Sequence, residues 1–300
     1  PGTADRRTGA RSDLKTPSGT AMTLFVVATP IGNLEDLTER AARTLREVDL
    51  VLAEDTRHAR TLLTRAGATT PTRSYHDHST DHERDTIIAA LAAGQRVALI
   101  SDAGTPCIAD PGFKLVRLAR QRGVDVCPIP GASALTAFLS AAGLPTDRFL
   151  FDGFLPQKAA ARDKRLTELL AAPWTSVVYE SPRRLEETLA AINTAAPDRH
   201  LVVARELTKV HETFYTGTAA VIANAITDAQ GWRGEIVVGI SPAPERDASD
   251  DELDAWIAAL VAEGVSARSI ASVLQSRLGV PRKRAYERAL AALEQRDGEA

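Results

Sequence analysis

A loop of small residues, prolines and two aspartates, residues 99–112 (LISDAGTPCIADPG), follows an apolar run at 96–100 that is typical of a buried parallel strand. Behind the loop, residues 113–122 have helical apolar spacing, with a proline at the helix start. In open α/β sheets, ligands bind beyond the carboxyl ends of strands, where small residues let the backbone approach a molecule closely. This segment therefore predicts a ligand-binding loop.

Ionisable residues follow the second and third predicted strands as well. Glu54, Asp55 and Arg57 come after the second strand, and their loop is expected to face the same sheet edge as Asp102. A carboxylate at such an edge can accept a proton. Arg57 can pair with a carboxylate inside its own loop or with a phosphate of a substrate, and both interpretations stay open.

A histidine-rich loop, residues 76–82 (HDHSTDH), follows the third predicted strand. The residue types suggest a metal site, but we favour substrate positioning or proton acceptance by His76 or His78 over metal ligation. A solvated loop is favoured over either role. We therefore predict no bound metal.

Strands and helices alternate along the first half of the chain, which is the βαβ pattern of a parallel sheet. Strands are predicted at 24–28, 49–53, 72–75, 96–100 and 124–129, and helices at 38–47, 56–65, 81–93 and 113–122. Asp81 is the predicted N-cap of the third helix.

A second α/β unit follows, with closer strands that predict a mixed sheet. Its strands are predicted near 149–152, 176–179, 200–204, 213–216 and 235–240, and its helices near 159–171, 182–195 and 219–229. Ser181 and Pro182 form a typical helix start, with serine as the cap and proline at the first helical position.

Three short amphipathic segments at the C-terminal end, 252–262, 267–278 and 282–293, resemble a helix-turn-helix. Arg282, Lys283 and Arg284 begin the last of them and suggest contact with nucleic acid. Because Glu287 and Glu294 share that helix, a solvated bundle that caps or pairs subunits is an equal alternative.

Composition is that of an ordinary globular protein, with 300 residues, 44% hydrophobic and 25% charged residues, and a net charge of -3. Any nucleic acid must therefore meet a local basic surface. Two cysteines and the lack of an apolar run of about 20 residues predict a protein of the reducing cytoplasm.

Domain organisation is predicted as a disordered arm or expression remnant at 1–21, since Met22 is the only methionine, followed by an N-terminal α/β domain at 22–135. A C-terminal α/β domain at 136–241, a linker at 242–251 and a helical extension at 252–300 complete the chain.

Phosphate-binding signatures are missing, because the sequence contains neither G-x-G nor GxxxxGK[ST]. A ligand without a phosphate is therefore favoured. S-adenosylmethionine meets this description, with an adenine for an apolar slot, an amino-acid tail for backbone groups and a sulfonium favoured near carboxylates.

Seven ordered segments strongly resemble the ribosomal RNA small subunit methyltransferase I family of the tetrapyrrole-methylase-like superfamily. They are residues 28–41, 53–63, 101–112, 128–156, 179–185, 204–217 and 234–240, and the resemblance extends from about 24 to 292. It implies a two-domain α/β fold with the cofactor cleft between the domains, a small C-terminal helical extension and a homodimer. The implied activity is S-adenosylmethionine-dependent methylation of the ribose 2′-hydroxyl of a cytidine in the decoding region of small-subunit ribosomal RNA.

The same resemblance implies particular site residues. The cofactor is expected at Pro30, Asp102, Ala103, Gly104, Ile108, Ala109, Ala132, Ser133, Tyr179, Glu180, Gly234, Glu235 and Ile236. Candidate bases are Glu54, Asp55 and His76. RNA contacts are expected at Arg57, Arg183, Arg184, Arg205, Lys209, Arg282, Lys283 and Arg284. Ser79 stands where asparagine is common in the family, which weakens inference about the 76–82 loop.

Two other functions remain as alternatives. One is methylation of a tetrapyrrole-like small molecule, against which the first loop (TPIGNLED) lacks the glycine-rich entry usual in those enzymes. The other is a non-catalytic RNA-binding or assembly protein. Steep salt dependence of RNA binding is expected both for the RNA methyltransferase and for the non-catalytic RNA-binding protein, so only catalytic turnover separates these two.

Overall fold

Five parallel strands form the first sheet, in the order β3-β2-β4-β1-β5. The structure, a computed structural model, describes residues 22–227, 234–244 and 249–299. The strands are β1 (Thr23–Val27), β2 (Leu50–Ala53), β3 (Thr72–Ser74), β4 (Val97–Leu99) and β5 (Asp125–Ile129). Because every pair is parallel, all five carboxyl ends meet at one edge of the sheet.

Helices cover both faces of this sheet, since successive strand residues point to opposite sides. Phe25 packs in the core with α1 (Glu39–Glu47) and α2 (Thr56–Ala66), while Leu24 packs in the core with α3 (Asp81–Ala92) and α4 (Phe113–Gln121). The sheet is therefore buried on both faces, as the apolar runs of its strands predict.

The N-cap of α3 is Thr80, so the prediction of Asp81 as the cap was wrong. The Thr80 side chain accepts a hydrogen bond from the Glu83 N–H, and the Glu83 carboxylate accepts one from the Thr80 N–H. Thr80 has the extended backbone of a cap, whereas Asp81 is already helical and pairs with Arg84.

The second sheet is mixed, as predicted, with the order β6-β7-β10-β8-β9. Its strands are β6 (Phe149–Phe154), β7 (Thr175–Glu180), β8 (Leu201–Arg205), β9 (Thr213–Gly217) and β10 (Ile236–Ile240), and only β6 and β7 pair in parallel. Helices α6 (Ala159–Leu170), α7 (Pro182–Ala195) and α8 (Ala219–Thr227) cover one face. The predicted end of the last of these helices, 228–229, lies outside the described residues.

The other face of the second sheet is covered by α5 (Ala134–Ala141), through Phe138 and Leu139. Ile31, from the loop after β1, joins the same apolar cluster. The predicted domain boundary at residue 135 therefore falls inside a helix that packs on the second sheet. This shared cluster holds the carboxyl edge of the first sheet against β7 and β10.

Three helices complete the described chain: α9 (Asp250–Ala262), α10 (Ala267–Leu278) and α11 (Arg282–Glu299). They have a core of their own, which includes Leu253, Ile257, Ile270 and Leu274. The predicted arm at 1–21 and part of the predicted linker lie outside the described residues. Within the part of the chain that the structure describes, no helix is both long and apolar enough to cross a membrane.

Candidate functional site

A cleft with a volume of ≈ 470 Å³ opens between the carboxyl edge of the first sheet and strands β7 and β10 of the second. This volume lies within the range of small-molecule sites. Both units contribute to its lining: Ile31, Glu54, 102–105, 108–110, Ser133 and Ala134 from one side, and Phe154, 179–182, Leu207 and 234–237 from the other.

The 101–112 loop is held against the loop that follows β1. Thr29 and Gly104 exchange two backbone hydrogen bonds, of 2.8 and 3.1 Å. The hydroxyl of Thr105 donates to the carbonyl of Ala132 at 3.1 Å, which ties in the loop after β5. Gly104 has a φ of +83°, and a Cβ there would lie 3.1 Å from Ile31. The wall of the cleft at this point is therefore backbone, fixed by three loops.

Backbone strain follows directly in the same loop. Cys107 and Ala109 have φ angles of 71° and 60°, in the left-handed region that non-glycine residues rarely adopt. The conformation leaves Ile108 41% exposed beside the cleft. Burial raises the pKa of the Cys107 thiol to about 11, with a further contribution from Asp110, so this thiol is a poor nucleophile.

Aromatic side chains form the opposite wall. Tyr179 makes edge-on contacts with Phe151 and Phe154, with ring centroids 4.8 and 5.6 Å apart. Burial raises the pKa of the Tyr179 hydroxyl to about 12, so the ring stays neutral at physiological pH. Phe154 is 58% exposed although it lines the cleft, which leaves an aromatic face available to a flat ligand.

Glu180 lines the cleft, but its carboxylate is already fully engaged. It accepts hydrogen bonds from the Ser181 N–H at 2.7 Å and the Thr188 hydroxyl at 2.9 Å, and it pairs with Arg184 at 2.6 Å. Arg184 in turn donates to the carbonyls of Leu155 and Pro156. The pair therefore fixes the end of β6 to the start of α7.

Lys209 connects the first loop to the second sheet. Its ammonium lies 2.8 Å from Glu206 and 3.3 Å from Glu235, while its aliphatic chain crosses Gly32, where a Cβ would lie 2.4 Å from the Lys209 Cγ. Glu206 also accepts from the Glu235 N–H at 2.9 Å. This arrangement positions the 234–236 segment, which lines the cleft, against the loop after β1.

Carboxylates gather at the acidic mouth, which we define as Glu54, Asp77, Asp102 and Asp110. Burial, followed by the charges of Glu54, Asp102 and Asp77, raises the pKa of Asp110 to about 7. Burial, followed by Asp102 and Asp77, also raises the pKa of Glu54. Among the described residues, no group of three or more histidines, cysteines or carboxylates has a geometry that could hold a metal.

Most of the expected cofactor residues line this one cleft: Asp102, Ala103, Gly104, Ile108, Ala109, Ser133, Tyr179, Glu180, Gly234, Glu235 and Ile236. The structure places Pro30 and Ala132 outside the lining. Pro30 is buried in the loop beside Ile31, and Ala132 offers its carbonyl to Thr105. Their place is in the support of the cleft wall.

The three candidate bases lie in different places relative to the cleft. Glu54 lines the cleft, whereas Asp55 and His76 do not. Asp55 caps α2 and pairs with Arg57 at 2.6 Å, and these hydrogen bonds hold its pKa far below the ordinary value. The exposed His76 lies in the loop after β3.

The expected RNA-binding residues also differ in how they are engaged. Arg184 and Lys209 are held in the networks described above, and Arg284 pairs with Asp250 at 2.8 Å. Arg205 is half-buried at the end of β8. The exposed members are Arg57, Arg183, Arg282 and Lys283.

Sequence reasoning missed several residues of the cleft. Thr105 and Asp110 belong to the predicted loop, but neither was among the expected site residues. Gly112, at a φ of +136°, precedes α4, where no side chain caps the helix. Phe154 and Leu207 carried no local signal, because their place depends on how the second sheet packs against the first.

Known proteins are similar to this chain in fold and in sequence. The sequence pattern of the Tetrapyrrole (Corrin/Porphyrin) Methylases matches residues 23–223. Among solved structures, a cobalt precorrin-4 methyltransferase matches with a TM-score of 0.56 and 17% identity over 76% of this chain and 98% of its own. Diphthine synthase matches with a TM-score of 0.55 and 16% identity over 73% and 89%. The fold is that of the tetrapyrrole methylases, and the chain belongs to that family.

Curated relatives narrow the assignment. Ribosomal RNA small subunit methyltransferase I of Xylella fastidiosa (strain Temecula1) is 45% identical over 266 residues, which are 88% of this chain and 97% of the relative. The protein of the same name from Pseudomonas aeruginosa is 45% identical over 274 residues, 90% of this chain and 97% of the relative. Within the family, the chain belongs with the ribosomal RNA small subunit methyltransferase I proteins.

Proposed function

We propose that this protein transfers a methyl group from S-adenosylmethionine to the ribose 2′-hydroxyl of a cytidine in the decoding region of small-subunit ribosomal RNA. The observation that carries the proposal is near full-length similarity to proteins named for this RNA, combined with a formed cleft lined by most of the residues expected to bind the cofactor. The uroporphyrin-III C-methyltransferase of Thermus thermophilus, whose TM-score to this chain is 0.50 with 20% identity over 72% of this chain and 96% of its own, was solved with S-adenosyl homocysteine.

The residues of the cleft suit this cofactor. Backbone groups at 102–104 and 234–236 can bind the amino-acid tail, and Tyr179, Phe154 and Ile108 provide apolar surface for the adenine. The carboxylates of Glu54 and Asp102, which line the cleft, favour a positive charge there. When bound, S-adenosylmethionine supplies a methyl group activated by a sulfonium.

The chain's own residues then align the reacting groups and exclude water from them. Alignment of the hydroxyl with the methyl group converts a bimolecular reaction into an effectively intramolecular one. The Thr29–Gly104 bonds fix the wall on the side of the first sheet, and Lys209 connects that side to the 234–236 segment of the second. The aromatic wall excludes water from the reacting atoms.

RNA binding is proposed at the exposed cations Arg57, Arg183, Arg282 and Lys283. Arg57 and Arg183 lie in the first turns of α2 and α7, and Arg282 and Lys283 begin α11. We also propose that the enzyme acts in the cytoplasm, because its proposed substrate is ribosomal RNA. A double Arg282→Gln, Lys283→Gln variant is expected to weaken RNA binding and reduce its salt dependence, measured by titration at several salt concentrations.

We also propose a homodimer, supported by the outer edge of β6, which pairs with no other strand in the part of the chain that the structure describes, and by the 45% exposed Phe149 next to Leu139 and Leu144. Sedimentation velocity is expected to give twice the mass of one chain, and a monomer at micromolar concentration would contradict this.

The function is tested by methyl transfer from labelled S-adenosylmethionine to small subunits that lack the modification, followed by nucleoside analysis. Gly104→Ala is expected to weaken cofactor binding about tenfold, because the added Cβ narrows the cleft wall and occurs at a φ of +83°. Gly67→Ala is the matched control, since Gly67 has a φ of +65° but no atom near the added Cβ and ends α2 away from the cleft. Equal cofactor affinity in the two variants would contradict the placement of the cofactor.

A further inference from the structure

Asp110 is a carboxylate of the cleft wall that makes no hydrogen bond or ion pair with the described residues. It lies directly after the strained Ala109, in the turn between β4 and α4. Its side chain is half-buried at the cleft, next to the exposed Ile108. The strained backbone therefore holds a carboxylate without a partner at the point where ligand is expected.

The other carboxylates that line the cleft differ in this respect. Asp102 accepts a hydrogen bond from the Asp55 N–H at 3.1 Å and faces His58 Nδ1 at 3.4 Å. Glu180 and Glu235 are engaged with Arg184 and Lys209 respectively. The Glu54 carboxylate likewise has no hydrogen bond or ion pair with the described residues, but the charge of His76 acts on it and Glu54 is more exposed than Asp110.

The charged groups acting on Asp110 are all acidic. Glu54 follows β2, Asp77 follows β3 and Asp102 follows β4, while the neutral Tyr179 faces it from β7 and Cys107 from its own loop. Burial and this acidic surrounding raise its proton affinity, so that its pKa is about 7. A proton acceptor is most effective when its pKa lies near the working pH.

We propose that Asp110 accepts the proton of the ribose hydroxyl during methyl transfer, an inference that rests on the proposed function. The O–H bond breaks and its proton passes to an Asp110 carboxylate oxygen. The electron pair left on the ribose oxygen forms the new bond to the methyl carbon. The bond from that carbon to sulfur breaks, and its electrons return to the sulfur, which becomes a neutral thioether.

A neutral side chain in place of Asp110 distinguishes a proton acceptor from a carboxylate that only binds the cofactor. Asp110→Asn keeps the size of the side chain and removes the acceptor. Proton acceptance contributes about 10²- to 10⁴-fold to a rate, so the single-turnover rate is expected to fall at least about 100-fold. Affinities for S-adenosylmethionine and for the RNA are expected to stay within about threefold.

The rate against pH gives a second readout. In the wild type the rate is expected to rise with pH and level off above about 7, as Asp110 loses its proton. Asp77→Asn is the matched control, because Asp77 acts on Asp110 without lining the cleft. It is expected to keep the plateau rate and to shift the midpoint of the profile to lower pH.

The experiment is single-turnover methyl transfer from labelled S-adenosylmethionine to small subunits that lack the modification. It compares the wild type, Asp110→Asn, Asp77→Asn and Glu54→Gln from pH 5.5 to 9, with cofactor affinity measured by calorimetry. A 100-fold slower Asp110→Asn with a flat profile and unchanged affinity is the expected result. An Asp110→Asn rate within threefold of wild type, a loss explained by weaker cofactor binding, or the flat profile in Glu54→Gln instead overturns the inference. A wild type that methylates no RNA overturns the proposed function first, and the inference with it.

Discussion

Replacing Arg184 by methionine is expected to destabilise the protein through Glu180, whose carboxylate is fully buried. The substitution keeps an apolar chain but removes the guanidinium that lies 2.6 Å from that carboxylate and that also donates to the carbonyls of Leu155 and Pro156. A buried charge left without its counterion costs about 3–5 kcal/mol.

The expected loss of stability in Arg184→Met is smaller than about 3–5 kcal/mol for two reasons. The Arg184 side chain is 21% exposed, and Glu180 keeps its bonds to the Ser181 N–H and the Thr188 hydroxyl. We therefore expect a loss of about 2–3 kcal/mol, which lowers the Tm of a chain of this size by about 5–10 °C.

Thermal and urea unfolding provide the assay, and Arg183→Met is the matched control. Arg183 is the preceding residue on α7, is exposed, and was expected from the sequence to contact RNA in the same way. Its replacement is expected to change Tm by less than about 1 °C. Equal unfolding of the two variants, with RNA binding lost in Arg184→Met, would refute the structural role and restore the role expected from the sequence.

Three further predictions concern other parts of the cleft. Gly32→Ala is expected to cost about 1–3 kcal/mol and to weaken cofactor binding, because the new Cβ would lie 2.4 Å from the Lys209 Cγ; unchanged urea unfolding and affinity would contradict this. Cys107, with a pKa of about 11, is expected to react with a thiol reagent at pH 8 far more slowly than Cys127, as peptide mapping of the native protein can show, and equal rates would contradict the burial of Cys107. Asp110→Asn is expected to gain stability over the wild type as pH rises from about 4 to about 7, by up to about 2–4 kcal/mol, because a folded-state pKa raised to about 7 makes ionisation oppose folding in that window. Urea unfolding at pH 4 and pH 8 measures this gain, and the same difference at both pH values would be inconsistent with a raised pKa.

The fold was largely predictable because its elements carry strong local patterns. Continuous apolar runs identified the strands of the first sheet, and the glycine and proline punctuation identified the turns. The cap of α3 was misplaced by one residue, since Thr80 and Asp81 are both good caps and only the backbone angle decides between them.

The cleft was predictable where it is backbone and unpredictable where it depends on long-range packing. The segments 102–104 and 234–236 were expected at the site and line it. Lys209 and Arg184 were expected to contact RNA, because a sequence shows a basic residue but not the carboxylate that the fold places beside it. The role that we propose for Asp110 was likewise not expected from the sequence, because its acidic surroundings come from three different strand ends.

Methyl transfer to small subunits that lack the modification is the most direct test of the central claim. With labelled S-adenosylmethionine and the wild-type protein, we expect one methyl group per subunit, recovered after digestion as a 2′-O-methylated cytidine. Binding of S-adenosylmethionine without transfer to any small-subunit RNA, or transfer to a small molecule instead, would contradict it.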